Sequence, residues 1–560
     1  MSNVALYLNP EAFDTRSPAL MGRQSAGESF LRGYLRHATA DRFWFWNVAN
    51  RKVEDLDALL ADVAPVVKPV THLGRNDRNA LAQAGNVHLP SPNIAREAWH
   101  RNVAAGRKAY GISALTHTTA SHDIMDGIAN LLLAPIESWD TLICTSSAVR
   151  ASVEVELEAV RVDLENRLGA TRLPDPQLVT IPLGINTDDF QVTDEHRTAW
   201  RARLGIADDA VVVLYVGRFN PHAKMNPVPM AMALERAAKM TGVPVAWVQA
   251  GWGSGGKAEQ AYHDECRVFC PSIDYHVVDG RELDTRFTIW SVGDIFISLS
   301  DNVQETFGLT PVEAMAAGIP CVVSDWNGYR DTVRHGVDGF RAATYAPAAG
   351  TGNDIAYRHS NDWIGYNAYV GGASQLTAVD LGDAARALAD LIENPDLRRR
   401  MGDAARLRAR SHFDWSGVIP QYEAMWDEMT ARRVAAAPTP ARARNLSANP
   451  RRLDPFHLFG GYATEWLTGS TMLMMTPGQG WHSVQALTRS TMAAFGGYAL
   501  PTLKEFEQMV ERLSSAPQMT VNDLVSILPA GRRPFVGRGL LWLAKYDIIT
   551  ILPRAGHIPS

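Results

Sequence analysis

Long hydrophobic runs, cysteine and an apolar leader are scarce or missing in this chain of 560 residues, and each absence closes a class of explanation. No stretch approaches the roughly 18 uninterrupted apolar residues that a membrane-spanning helix requires. The N-terminal MSNVALYLNPEAF has no basic segment followed by an apolar core. It reads as the first strand of a domain, and a cytoplasmic address is the expectation. Only four cysteines occur, Cys144, Cys266, Cys270 and Cys321, too few to frame a chain of this size with disulfides, and reduced thiols are expected. His263, Cys266 and Cys270 have spacings that reach one face of a helix, but they lack a fourth ligand and a second cysteine pair, so a metal is not expected there. No Asp-x-Asp element stands at a strand end, and Asp188-Asp189 reads as part of a turn. Neither a metal nor a cofactor is called for. The sequon Asn445-Leu446-Ser447 carries no weight if, as expected, the chain never enters a secretory compartment.

What is present is the composition of a globular protein, with 46% hydrophobic and 20% charged residues. The length implies several domains. Charge is unevenly spread. From Val434 onward 12 Lys/Arg face 7 Asp/Glu, near +5, whereas the preceding part sets 42 basic against 53 acidic residues, near −11. That asymmetry suggests an anionic partner for the tail.

The first half alternates helical patterns with the apolar runs NVALYL, RFWFWNV, PVVKPV, NVHLP, GISALTHT, DTLICTS and QLVTIPLG. A second series begins near 210 with AVVVLYVG, VPVAWVQAG, DYHVVDG, GDIFISLS and PCVVSD. Such alternation argues for two doubly wound parallel sheets of α/β class, with ligands in the crevice outside the carboxyl ends of their strands. The expected organisation is an N-terminal Rossmann-like domain over 1–190, a second over 205–415, a closing helix over 416–433, a linker over 434–455 and an accessory, mainly helical module over 456–560. The linker is rich in Ala, Pro and Arg without hydrophobic period. In the module, LPTLKEFEQMVERL reads as an amphipathic helix, and two further helical patterns precede a terminal apolar strand.

The stretch from Asp294 to Phe340, DIFISLSDNVQETFGLTPVEAMAAGIPCVVSDWNGYRDTVRHGVDGF, runs from a buried strand through a glycine turn into a helix. Thr310 as N-cap, Pro311 at N1 and Glu313 at N3 are the expected start. Amides near Phe307, Gly308 and Leu309 then face an anion at the positive end of the helix. Glu313 alone reads equally as a capping carboxylate. The segment ETFGLTPVEAMAAGIPCVVSD resembles the signature of glycosyltransferase family 4, the retaining enzymes of GT-B fold that use nucleotide sugars. The resemblance extends over roughly residues 1–432. It implies that Glu305 lies beside the donor sugar, that the turn holds the distal phosphate, and that Glu313 binds the ribose. The accessory module resembles a winged helix.

Arg218 and Lys224 follow the strand LYVGRF, where long cations are ordinarily just solvated. The resemblance implies instead that they neutralise the diphosphate. In GRQSAGESFLRGYLRH, Gly22 and Gly27 are expected on a loop before a helix starting near Glu28; the reading is either an ordinary turn or, by resemblance, the loop that approaches the donor diphosphate. His117 in SALTHTT is either a packed histidine or the family's active-site histidine, hydrogen-bonding the sugar or orienting the acceptor. Gly251 opens GWGSGG, a flexible loop or the turn beside the nucleotide. Asp284 and Arg286 fall in the stretch that the family places near the base. Between Phe340 and Leu381 the chain is longer than the family's compact loop and carries Tyr345, Tyr357, His359, Trp363, Tyr366 and Tyr369, read equally as an aromatic platform for the acceptor or as a packed surface loop.

The expected activity is therefore transfer of a sugar, with retention, from a nucleotide sugar to a hydroxyl on a glycan or lipid-linked acceptor, without a metal. Glu305, His117, Arg218 and Lys224 carry the chemistry. Gly22, Gly27, Gly251, Phe307, Gly308, Leu309 and Glu313 hold the donor. The alternatives are another GT-B enzyme, such as an epimerase or phosphorylase, or a nucleotide-sugar-binding regulator whose tail meets nucleic acid. For the tail itself, self-association or docking onto the transferase comes first, the inner membrane surface second and nucleic acid last.

Overall fold

The computed structural model describes residues 3–13, 22–437 and 449–552. The chain divides into two compact units, Met1–Asn449 and Pro450–Ser560.

The first unit holds two parallel sheets. Strands β1 (Ala5–Leu8), β2 (Phe43–Asn47), β3 (Val70–Leu73), β4 (Asn86–Leu89), β5 (Gly111–Leu115), β6 (Thr141–Cys144) and β7 (Gln177–Thr180) form a seven-stranded sheet in the order 3-2-1-4-5-6-7. Strands β8 (Val211–Val216), β9 (Val245–Gly251), β10 (Asp274–Asp279), β11 (Ile295–Ser298), β12 (Cys321–Ser324) and β13 (Gly339–Ala342) form the second, ordered 10-9-8-11-12-13. Both repeat the dinucleotide-fold order, with β1 between β2 and β4 and β8 between β9 and β11. The chain thus has the α/β, GT-B architecture of two Rossmann-like domains, with a helical C-terminal appendage. Central strands such as β5, β6, β11 and β12 are buried throughout, because helices cover both faces, and this is why they read as continuous apolar runs.

Two strands depart from the expectation. PVVKPV is not itself a strand: β3 begins only at Val70, since Pro69 has no N–H to donate and instead lends its carbonyl to Phe43 N at 2.9 Å. β13 is too short and mixed to announce itself. It pairs with β12 so closely that a Cβ on Gly339 would lie 2.2 Å from the Cys321 carbonyl oxygen.

The chain crosses between the domains at adjacent points. Ile185 N donates to Phe413 O at 2.8 Å, and Trp415 N donates to Ile185 O at 3.1 Å. The helix Trp415–Ala435 then lies on the first sheet: Trp426 Nε1 donates to Ser113 Oγ at 3.0 Å, and Asn86 Nδ2 donates to the Trp426 carbonyl. Trp415 fills the space left by Gly33 and Gly184, where a Cβ would approach its ring to 2.3 and 2.5 Å. Inside the first domain, Arg101 and Asp140 form a fully buried two-pronged ion pair, both contacts 2.7 Å.

The insertion after β13 is ordered into a strand pair, β14 (Thr344–Tyr345) with β15 (Ala378–Val379), and a hairpin of helices Asn353–Ser360 and Tyr366–Gln375. In the second unit, β16 (Met472–Met475) is flanked by β17 (Met519–Thr520) and β18 (Ile549–Ile551) in an antiparallel sheet. The helices Leu503–Ser514 and Arg533–Lys545 bury Phe506, Met509, Leu540 and Leu543 in its own core. The first of these helices opens with the Thr502–Glu505 capping box. Of the expected linker, 434–435 still belong to the return helix, and 438–448, including the sequon, lie outside the described residues. Among the described residues no helix is long and apolar enough to cross a membrane.

Candidate active site

Ligands of doubly wound sheets bind where neighbouring strands send their connections to opposite faces. In the second domain that place is the carboxyl end of β8 beside β9 and β11. Three glycines bring the backbone together there. A Cβ on Gly251 would sit 1.9 Å from the Gly217 carbonyl oxygen, and one on Gly280 would lie 3.0 Å from Gly251 Cα. Gly251 is therefore the last residue of β9 and a packing glycine on the cleft wall. The rest of GWGSGG is equally committed: Gly253 bridges Phe219, and Gly256 starts the helix Gly256–Phe269.

The loop after β8 carries the cations. Asn220 Oδ1 accepts from His222 N at 3.1 Å and Ala223 N at 2.9 Å, a turn that holds the following residue in place. Lys224 Nζ meets Glu305 Oε2 at 2.6 Å, with both side chains mostly buried. Burial works against the Lys224 charge, but the Glu305 carboxylate more than offsets it and raises its pKa. Burial likewise opposes ionisation of Glu305, yet Lys224 and the backbone amides of Thr306 and Phe307 hold it below the usual carboxylate range. The pair is ionised. Arg218 lines the same cleft.

The helix after β11 is Leu309–Ala316, with Gly308 as N-cap at φ +86°. This corrects the expected start: Thr310 lies inside the first turn, and Glu313 is not at N3. The reason is Gly308, which takes the left-handed conformation and packs where a Cβ would fall 2.1 Å from the Tyr329 ring. Leu309 and Thr310, whose helix-start amides lack intrahelical partners, line the cleft. Freed from capping, Glu313 sits on the cleft wall, where burial pushes its pKa up to about 7 against the pull of Arg286 and Lys224. Arg286 lines this part of the cleft, whereas Asp284 is exposed and bonds Thr288 only through its carbonyl.

From the first domain comes the helix Gly22–His37. Gly22 and Gly27 were expected on a loop before it, but Gly22 is its first residue and Gly27 lies within it. Gly27 has a packing duty, since a Cβ there would lie 2.6 Å from the Ala12 carbonyl oxygen. The same helix sends Glu28, Ser29 and Arg32 to the cleft, where Arg32 Nη1 bonds Asp189 Oδ1 at 3.1 Å. His117 follows β5 and stands between two spaces: a cavity of about 400 Å³ with Lys224, Glu305 and the helix start, and one of about 500 Å³ inside the first domain. The larger cavity is walled by Tyr7, Phe30, His88, Trp415 and Tyr422, with no Lys or Arg among its described lining residues. Burial and the neighbouring His117 depress His88 to about 3, so it is neutral there.

Sequence reasoning missed the residues that brace the loop. Asn327, at φ +46°, donates from Nδ2 to the Glu305 carbonyl, and a Cβ on Gly328 would strike Phe307 Cα at 2.4 Å. Tyr329 OH and Ser298 Oγ lie 2.8 Å apart beneath it. The first domain also reaches across: Ser146 Oγ donates to Thr306 O at 2.7 Å, and Thr306 Oγ1 donates to the His117 carbonyl at 3.1 Å. The WNGY run after β12 was the available signal. Elsewhere His263 bonds Tyr275, and no group of three potential metal ligands occurs among the described residues.

The family model described as "Glycosyl transferases group 1" matches residues 196–351, the part that contributes Arg218, Lys224, Glu305 and Glu313. D-inositol 3-phosphate glycosyltransferase of Streptomyces scabiei is 30% identical over 248 residues, 43% of this chain and 46% of that protein. Lipopolysaccharide 1,2-N-acetylglucosaminetransferase of Salmonella typhimurium is 27% identical over 188 residues, 33% of this chain and 48% of its own length. The chain thus spans about half the length of the curated relatives it matches. Among solved structures, sucrose-phosphate synthase of Thermosynechococcus elongatus aligns over 77% of this chain and 100% of its own, at 15% identity and a TM-score of 0.46. With its cleft at the switch points of two Rossmann-like sheets, the chain carries a glycosyl transferases group 1 domain over residues 196–351.

Proposed function

We propose that this protein is a retaining glycosyltransferase of family 4 that moves a sugar from a nucleoside diphosphate sugar to a hydroxyl acceptor. The observation that carries the reading is the buried Lys224–Glu305 pair at the start of the Leu309–Ala316 helix, inside the span of the group 1 match. Arg218, Lys224 and the amides of Gly308 and Leu309 neutralise the diphosphate, and Glu313 accepts the ribose hydroxyls. As the bond from sugar C1 to the phosphate oxygen breaks, charge grows on the phosphate, where fixed cations and helix-start amides act most strongly. Glu305, tied to Lys224, accepts from donor-sugar hydroxyls and is not free to attack C1. The acceptor oxygen then bonds C1 on the face the phosphate leaves, and its proton passes to the departing phosphate. His117 orients sugar and acceptor at the junction of the two cavities. No step calls on a metal or cofactor.

The acceptor enters through the 500 Å³ cavity of the first domain, and the relatives' names support a hydroxyl on a polyol or glycan. The enzyme works in the cytoplasm on a glycan or lipid-linked acceptor. Its second unit combines a small antiparallel sheet with helices in the manner of a winged helix, and serves for self-association or for contact with the inner membrane surface. The test is release of nucleoside diphosphate from UDP-, GDP- and ADP-sugars in the presence of glycan and lipid extracts, with the product anomer read by NMR. A folded protein that releases none and binds no nucleoside diphosphate sinks the proposal; an inverted anomer sinks the retaining mechanism.

A further inference from the structure

The helical hairpin 353–375, inserted in the second domain, touches both domains at the loops that bear the site. Its inner helix, Tyr366–Gln375, lies on the loop that carries Lys224: a Cβ on Gly371 would meet His222 Cβ at 3.3 Å, and buried Val370 packs with Ala223 and with Ala120 of the first domain. Ser374 Oγ donates to Asp301 Oδ1 at 2.5 Å, both buried, four residues before Glu305. Tyr366 packs against the same cluster of Ala120, Ala223 and Val370, three positions from His117 at its Ala120 end. His359 stacks on Tyr369, at 4.0 Å between ring centroids, and meets the ring of His122 of the first domain at a tilt, at 3.8 Å. Tyr345, Tyr357 and Trp363 point outward and are exposed. The insertion's aromatics are thus split into an inner, interdomain face and an outer one.

We propose that the hairpin is a positioning element that ties the first domain's 117–122 loop to the Lys224 and Glu305 loops and thereby sets the reactive form of the cleft. The proposal rests on reading Lys224 and Glu305 as the reacting pair. Val370 and Tyr366 are its working residues: a buried apolar side chain shared by both domains, and a ring packed on the same interdomain cluster. Neither lies among the cleft-lining residues, so the hairpin acts through the loops it holds.

Hydrogen–deuterium exchange on the full chain tests this without a known acceptor. In the Val370→Ala/Tyr366→Ala double variant, exchange at 117–122 rises at least about fivefold while strands β8–β12 keep their protection. Calorimetry with UDP, GDP and ADP then gives affinities within about twofold of wild type, while kcat for nucleoside diphosphate release falls about tenfold at unchanged donor KM, as expected when reacting groups are misplaced by a fraction of an ångström. Ser374→Ala gives an independent reading from the Asp301 side, with the change at 300–306. Unchanged exchange at both loops in folded variants overturns the proposal, as does a kcat loss matched by an equal loss of nucleoside diphosphate affinity. A wild-type protein without turnover would overturn the transferase reading instead, and the exchange measurement would still decide the hairpin's role.

Discussion

The two Rossmann-like halves share one strand order and offer the cleft opposite surfaces. The second half presents cations, a helix start and backbone packed close by Gly217, Gly251 and Gly280. The first presents aromatic rings, a neutral buried histidine and, among the described lining residues of its large cavity, no Lys or Arg. Topology sets where a ligand lies, whereas the loops after the strands set its charge. The second half thus gathers positive charge, while the first lines its large cavity with aromatic rings and the carboxylates Glu11 and Asp123.

The sharpest way to separate the halves is to damage the first without touching the site. Asp140→Ala leaves Arg101 as an unpaired charge in the core and is expected to cost about 3–5 kcal/mol in a denaturant titration. The folded fraction should keep its nucleoside diphosphate affinity. A loss below about 1 kcal/mol would mean that the pair does not hold the first domain together. In the second half, Lys224→Ala and Glu305→Ala are each expected to lower turnover at least about tenfold, or 1.4 kcal/mol. A folded variant with wild-type turnover at saturating donor would show that the charged surface is not where the chemistry occurs.

A smaller effect concerns Glu313. Its pKa, raised to about 7 by burial, makes the folded state bind more protons than the unfolded one between the ordinary carboxylate value and about 7. Its contribution to stability is therefore present at low pH and lost as pH rises through that window. Donor binding runs the other way. The ionised carboxylate is the better acceptor for ribose hydroxyls, so affinity should weaken as pH falls from about 8 to about 6, by up to about tenfold per unit. Glu313→Gln should flatten that profile; an unchanged slope would remove Glu313 from ribose binding. The smallest change is expected from truncation after Ala437, which keeps the return helix and the bond from Lys108 Nζ to the Ala436 carbonyl at 2.5 Å. Donor affinity should stay within about twofold of the full chain, a difference of roughly 0.4 kcal/mol. If Arg218, Lys224 and the helix amides hold the diphosphate as proposed, excess EDTA leaves turnover intact; loss restored by Mg²⁺ would break this account.

Most strands were legible because buried parallel strands are apolar on both faces, whereas the Lys224 and Glu305 loops stood out through their resemblance to the family 4 signature, since Arg218 and Lys224 taken alone read as solvated cations. Boundaries were not. The helix starts at Leu309 because Gly308 takes a left-handed cap and Tyr329 occupies its missing side chain, a contact 21 positions away in the chain. Gly27 looked like a loop residue because its use is contact with Ala12, and β13 was hidden because four mixed residues pair only where β12 is already laid down. The inward and outward sorting of the insertion's aromatics depends on His122 and Ala120, in a different domain. Local patterns carry no information about such partners.

Thr306 links the halves through both its oxygens, the carbonyl accepting from Ser146 and Thr145 and the hydroxyl donating to His117. Any motion that parts the domains must break these bonds together, at about 0.5–1.5 kcal/mol each. Under the proposed function, a nucleotide held between the halves would leave by that parting, and the bonds would be broken once per cycle after sugar transfer. Weakening Ser146 would then speed the release step and slow the step before it, and the observed turnover would report whichever has become the bottleneck.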